Sequence, residues 1–298
     1  MANIEVYVSE EREKRGRRKR YFILISILAI GCVLLTAGAW VVFRSRLFLI
    51  QNINISGNER VSREEIISFL EARISKESFL KRVLGFQNIL AWPQKVNEDD
   101  LKFLPQLKSI EIEKRYRERA VSVLVKERKP FGIWCLIPQT QIAADNNTRI
   151  TADASSSDIG VNPRYDERES ATCWWFDEEG ILYEKALAAE GNIIPAVDDY
   201  SRDNLGLGSA VLPEGFAPNL ISIFRVLRDS GISVKEVRLE DIGLEEIKVA
   251  TYDGPELYFS LRIPADNALA VINSLSGKTG LKNLKYIDFR VENRAYYK

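Results

Sequence analysis

From Tyr21 to Phe43 the chain runs for 23 residues without a charged side chain. As a helix this run would measure about 35 Å at 1.5 Å per residue, enough for a hydrocarbon core of about 30 Å. Tyr21 and Trp40 stand near its two ends, where amphipathic aromatic rings favour the interface. The pattern predicts one membrane-spanning helix over 21–43. Downstream the periodicity shortens. Ile53 and Ile55 alternate with Asn52 and Asn54, the period of a strand with one buried face, and Gly57-Asn58 closes it. Ser62 with Glu65 three residues on forms a capping box. Val61 and Ile66 take the staple positions, and Ile66, Ile67 and Leu70 supply a helical stripe. A second helix is signalled by the acidic turn Asn97-Glu98-Asp99-Asp100, with Leu101 and Leu104 before Pro105. Between them Lys76–Lys95 is less regular, and Trp92-Pro93 reads as a turn or docking loop. Ile110 and Ile112 then alternate with Glu111 and Glu113. Val121, Val123 and Val125 alternate with Ser122, Leu124 and Lys126, joined to the first strand by a short polar link. Strand, helix, helix, strand, strand over 48–128 make a compact α+β module.

Beyond Pro130 the pattern stays strand-rich, and 129–298 reads as a second, mixed module. Its strands fall at Phe131–Leu136, Cys173–Asp177, Ile181–Tyr183, Val234–Leu239, Glu246–Thr251, Glu256–Leu261 and Lys285–Val291. Asp253-Gly254 is a hairpin turn between two of them. Two helices punctuate the module, each expected to cover one face of a sheet. One runs from Pro218 through Leu220, Ile223, Phe224 and Leu227 to Gly231; the other runs from Pro264 through Leu269, Ile272 and Leu275 to Gly277. The stretch 138–171 is rich in Ala, Ser, Thr, Asn and Asp, and is expected to be a flexible insertion between neighbouring strands, serving as a binding loop or having no role.

Charge sharpens the topology. The 42 basic and 42 acidic residues balance, but residues 1–20 hold seven basic side chains against four acidic ones. This basic tail directly precedes the apolar run, whereas only Arg44 and Arg46 follow it closely. The positive-inside bias then puts residues 1–20 in the cytoplasm and residues 44–298 outside it. A cleaved signal peptide is the rival reading, since Ala37-Gly38-Ala39 resembles a cleavage site, but the run extends past the usual apolar core of such peptides. The downstream region carries a slight acidic excess, which argues against nucleic acid as a partner.

Chemistry narrows the picture further. The chain has no histidine and three cysteines, without a CxxC pair. An ordinary zinc centre therefore has no ligand set, and the commonest general base is missing. No phosphate-binding loop, dinucleotide fingerprint or nucleophile elbow is present, so neither a cofactor nor a small-molecule substrate is expected. A carboxylate hydrolase would have to draw on Asp177, Glu178 and Glu179, which read more simply as a solvated turn before Gly180. Cys32, inside the apolar run, reads as a small hydrophobe. Cys135 and Cys173 bracket the insertion. Antiparallel pairing of their strands would bring the sulfurs face to face, and an exported location permits a disulfide; the other reading is two small buried hydrophobes.

The chain closes on Glu292-Asn293-Arg294-Ala295-Tyr296-Tyr297-Lys298, a polar turn and a short aromatic strand. A last strand is often an edge, whose unpaired backbone groups accept another chain's extended segment. Tyr296 and Tyr297 would offer contact area there; the plainer reading is that they finish the sheet.

Several of these passages, in their order, resemble one known family. A basic tail, one membrane helix and the passage Ile53-Asn54-Ile55-Ser56-Gly57-Asn58-Glu59-Arg60-Val61-Ser62-Arg63-Glu64-Glu65-Ile66 resemble the start of a POTRA domain. Leu104-Pro105-Gln106-Leu107 through Glu127-Arg128-Lys129-Pro130 resembles a passage of the bacterial cell-division protein family FtsQ, or DivIB. Asp177 to Tyr183, the Asp253-Gly254 turn and the closing Tyr286-Ile287-Asp288-Phe289-Arg290-Val291 resemble the β domain of that family. Arg115-Tyr116-Arg117-Glu118 stands where the family usually carries Trp-Pro. The resemblance implies a POTRA domain over 48–128, a β domain over 129–298, and a location in the inner membrane at the division septum. It also implies a non-enzymatic scaffold for septum formation. Its partners would be FtsB-like and FtsL-like chains at Arg290, Val291, Glu292, Asn293, Arg294, Tyr296 and Tyr297, with FtsK-like chains at the POTRA domain. The alternative is another exported POTRA protein with a scaffold or chaperone-like role.

Overall fold

The computed structural model describes residues 2–44, 46–138, 171–189, 193–278 and 280–298. The expected insertion at 138–171 lies, but for its two end residues, outside the described residues. The chain is mixed α+β, with one N-terminal apolar helix and two sheets.

Helix α1 (Ala2–Arg44) is continuous through the basic segment and the apolar run. The sequence predicts a helix only from Tyr21; Glu, Arg and Lys are themselves strong helix formers, and nothing in 2–20 breaks the backbone ladder. Arg20–Val41 is 22 residues long with a mean hydropathy of 2.5, and none of that window is buried. It is long and apolar enough to cross a membrane.

The chain divides into two compact units. One comprises Met1–Ser56, Arg63–Lys95 and Glu111–Leu124; the other comprises Gly57–Ser62, Val96–Ile110 and Val125–Lys298. Strand β1 (Asn52–Ser56) pairs in parallel with β3 (Ala120–Glu127), Asn52 opposite Ala120 and Ser56 opposite Leu124. With β2 (Leu107–Arg115) they form a three-stranded sheet in the order β1-β3-β2. Parallel β1 and β3 need a crossover, which the helices α2 (Arg63–Glu77), α3 (Phe79–Leu84) and α4 (Glu98–Leu101) supply together with β2. Helix α2 starts directly after Ser62 and buries Ile66, Leu70 and Ile74, each four residues from the last. The irregular stretch before α4 contains α3, then a turn in which the buried Trp92 donates its indole N–H to the Phe86 carbonyl at 2.7 Å.

The second unit is built on a nine-stranded sheet in the order β12-β11-β10-β9-β8-β7-β4-β5-β6. Its strands are β4 (Gly132–Leu136), β5 (Thr172–Phe176), β6 (Leu182–Ala186), β7 (Ala196–Asp199), β8 (Val234–Leu239), β9 (Glu246–Thr251), β10 (Glu256–Ser260), β11 (Tyr286–Phe289) and β12 (Tyr296–Tyr297). Helices α5 (Ala217–Ser230) and α6 (Ala268–Lys278) supply Leu220, Ile223, Phe224 and Leu227, and Ala268, Ile272 and Leu275, to its core. Helix α5 carries a proline in its first turn and stops at Gly231 in the left-handed conformation, φ 67°.

Alternation splits β4 between two cores. Trp134 and Leu136 join the main core, while Ile133, Cys135 and Ile137 join a smaller cluster with Cys173, Trp175 and Ile194. Strand β4 therefore reads as a continuous apolar run, buried on both faces. Cys135 lies directly opposite Cys173 in the β4–β5 ladder, and the two sulfurs are joined in a disulfide.

Candidate partner-binding edge

Strand β11 runs parallel to β10, so the chain must cross over between them, and α6 makes the crossing. After Phe289 the backbone turns: Asn293 adopts φ 57°, and the Arg294 N–H donates to the Val291 carbonyl at 3.1 Å. Asparagine tolerates that left-handed conformation better than most residues. The Asn267 amide fixes the turn by donating to the Asn293 side-chain oxygen at 3.0 Å. The chain then returns as β12, antiparallel to β11, with Asp288 opposite Tyr296 and Ile287 opposite Tyr297.

Lys298 bonds inward: its N–H donates to Tyr286 and its carbonyl accepts from Lys285. Alternation in an antiparallel ladder turns the N–H and C=O of Tyr297 the other way, toward the free side of β12. No strand pairs with that side among the described residues. The opposite edge of the sheet differs. There β6 begins under a cover, where Leu182 exchanges backbone hydrogen bonds with Gly208 and Ser209 at 2.7 and 2.9 Å.

The register gives the two tyrosines different surroundings. Tyr297 continues the row Ile287, Leu257, Val249, whose other members are buried in the main core. Tyr296 continues the row Asp288, Tyr258, Lys248, Arg238 on the other face. On that face Arg290 is tied down. Its guanidinium donates to both Asp288 oxygens at 2.9 and 2.7 Å and to Glu246 at 2.7 Å, and it stacks 5.2 Å from the Tyr258 ring centroid. The Arg290 hydrogen bonds hold the Asp288 carboxyl below its ordinary range despite partial burial. A hydrogen bond to Glu256, helped by burial, pushes the Tyr258 hydroxyl up to about 12.

Of the seven residues expected at the edge, Val291, Glu292, Asn293 and Arg294 form the exposed turn, and Tyr296 and Tyr297 are the exposed strand. Arg290 lies beside them, but its charge is already engaged by Asp288 and Glu246. Sequence reasoning did not find the row through Tyr258 and Lys248. Alternation around buried Leu257 and Phe259 marks Tyr258 as outward-facing, but only the strand order makes it a neighbour of Asp288.

The acidic group Asp177-Glu178-Glu179 belongs to a different place. One Asp177 oxygen accepts from the Glu179 and Ile181 N–H groups at 3.0 and 2.9 Å, and the other accepts from Arg128 at 2.6 Å. Glu179 pairs with Lys108 and with Arg128. Asp177 and Glu179 are thus engaged in a turn and an ion-pair cluster. Among the described residues no group of three or more cysteines and carboxylates could hold a metal ion.

No protein-family model matches this chain, and no curated protein sequence matches it.

Proposed function

We propose that this chain is a non-enzymatic, membrane-anchored scaffold of bacterial cell division, organised like FtsQ/DivIB. In this reading residues 1–20 lie in the cytoplasm, the apolar part of α1 crosses the inner membrane, and a POTRA domain (48–128) and β domain (129–298) lie outside at the septum. FtsB-like and FtsL-like partners add a strand to β12, and FtsK-like partners meet the POTRA domain. One observation carries the reading. The β12 edge is unpaired among the described residues, with two exposed tyrosines and outward-facing backbone groups at Tyr297, while the other edge begins under a cover. Backbone groups of that kind supply affinity for an extended partner, and side chains on the two faces supply selectivity.

The test is a photo-crosslinking side chain at position 296 in growing cells. The expected adduct is a small membrane-anchored division protein, and in co-purification without the probe the double replacement Tyr296→Lys, Tyr297→Lys is expected to abolish capture of that protein without unfolding the chain. Capture of the same partner by the double variant at the wild-type level would sink the assignment. Protease added to spheroplasts tests the orientation and should digest residues beyond 44; their survival beside a digested exported control would reverse the topology.

A further inference from the structure

We propose that α3 lies in the membrane–water interface where α1 emerges, giving the chain a second, reversible attachment to the lipid surface. This rests on the reading of α1 as a membrane anchor. The motivating observation is a short helix whose apolar side chains are uncovered among the described residues. No residue of α3 is buried, and Phe79, Leu80 and Val83 are 73%, 65% and 50% exposed. Positions 79, 80 and 83 share one arc of a helix, so the three side chains form a patch. Contiguous exposed apolar surface of this kind marks a protein or membrane contact.

Chain connectivity selects the membrane. Four residues lie between the end of α1 at Arg44 and Leu49, a reach of at most about 18 Å over five residue steps. Leu49 forms an antiparallel bridge with Asn88. The Ile50 N–H donates to the Gln87 carbonyl at 2.8 Å, and the Ile89 N–H donates to the Phe48 carbonyl at 2.9 Å. Gly85, directly after α3, is tied to this stitch through the Asn88 N–H at 3.2 Å. The patch is thus held beside the segment that leaves the bilayer, and within that segment Leu47 is 70% exposed. The polar side of α3 suits the interface as well. It carries Lys81 and Arg82 and no acid; the Lys81 ammonium meets Glu77 at 2.5 Å, and Arg82 donates to the Ser75 carbonyl at 3.0 Å. Long basic side chains lie along apolar surface and keep their charged ends in the headgroup layer. At six residues α3 is too short to cross the bilayer, but an amphipathic segment lying in the interface needs to bury only one face.

The test uses the full chain reconstituted in vesicles of zwitterionic lipid with a minority of anionic lipid. Three forms each carry one environment-sensitive fluorophore: on native Cys32, on Leu80→Cys, and on Leu124→Cys, the last two in a Cys32→Ser background. Position 124 is an exposed site on β3. Brominated lipid is expected to quench the label at Cys32 and the label at position 80, and to leave the label at position 124 bright. Quenching at Cys32 alone leaves the anchor standing and overturns the interfacial placement of α3, as does equal quenching at all three positions, which would mean general adsorption. Absence of quenching at Cys32 overturns the anchor itself, and this inference with it. In a Phe79→Ser, Val83→Ser background, loss of quenching at position 80 with quenching at Cys32 retained is the further expected result; undiminished quenching there would overturn the role of the patch.

Discussion

Glu127 and Arg128 are adjacent, and each organises a different set of partners. The Glu127 carboxylate accepts from the backbone N–H groups of Glu59, Arg60 and Val61 at 2.8, 2.9 and 2.9 Å. Arg128 donates to the Pro105 carbonyl at 3.2 Å and to Asp177 at 2.6 Å, in a pair with little solvent access. Burial by itself would raise the Glu127 carboxyl, but the three N–H donors and the Arg60 charge outweigh it and hold the group below its ordinary value. A carboxyl depressed on folding stabilises the fold at pH values above its unfolded value, near 4.5, and that contribution is lost as pH falls through the lower folded value. Glu127→Gln is therefore expected to cost about 2 kcal/mol at pH 7 and to flatten the acid limb of the stability profile, read by denaturant unfolding at several pH values. An unchanged profile would remove Glu127 from that role. Arg128→Ala leaves Asp177 buried without its ion partner and is expected to cost about 3 kcal/mol in the same measurement, with Arg128→Lys recovering only part of it. The sequence marks Glu127-Arg128 by resemblance alone, because the partners of both come from distant segments. Gly57 is similar: its turn is legible, but the need for glycine shows only in the fold. There φ is 85°, and a Cβ would run into the Val125 carbonyl oxygen.

Strong periodicity made most elements legible, and its absence hid the rest. Strands β1, β2, β3, β8, β9, β10 and β11 and helices α2 and α5 fall where alternation, helical spacing, caps and turns predict them. Helix α6 begins at Ala268, four residues after Pro264, because Ala265 is held by a hydrogen bond from its N–H to the Ser222 hydroxyl at 2.8 Å. Helix α3 escaped notice because six residues hold too few turns to show a period. Strand β7 escaped because Ala196-Val197-Asp198-Asp199 reads as polar. Its buried Asp199 is sustained by partners that only folding supplies: the Trp134 indole at 3.0 Å, the Ser201 hydroxyl at 2.6 Å and Arg202 at 2.6 Å. Strand β12 was legible as a short aromatic strand, but the direction of its backbone groups was not. That direction makes a prediction at this scale. Tyr297→Pro removes an N–H that faces the free edge, and is expected to reduce partner capture at least tenfold, about 1.4 kcal/mol, with little change in unfolding. Tyr296→Pro instead removes an N–H that faces β11 and is expected to loosen the terminal strand itself, seen as faster amide exchange at Asp288, which stands opposite Tyr296, and at Lys285, whose N–H donates to the Lys298 carbonyl.

At the scale of the whole molecule, the disulfide makes the fold sensitive to the redox state of its surroundings. Cys135 and Cys173 are 38 residues apart, and closing a loop of that length stabilises by about 4 kcal/mol in the chain-entropy model. A thiol reagent applied to denatured chains from growing cells is expected to modify Cys32 alone before reduction and all three cysteines after it. Modification of Cys135 and Cys173 before reduction would show that the bond does not form there, and would count against export. The sequence brought the two cysteines within consideration by placing them on flanking strands. It left open whether they bridge, because that depends on a register in which they stand directly opposite.

What the sequence determined by itself is whatever follows from local periodicity and composition. That includes the apolar length of α1, the alternation of the strands, the mixed α+β class and the absence of histidine from the chain. What only the tertiary structure decided is adjacency between distant segments: β7 between β4 and β8, the engagement of Arg290 by Glu246, and the free side of β12. Periodicity is a property of neighbours along the chain, and a single strand's pattern is compatible with many strand orders. The order is selected when the whole core closes, since only then are buried groups such as Asp199 satisfied and the β12 edge left unpaired among the described residues.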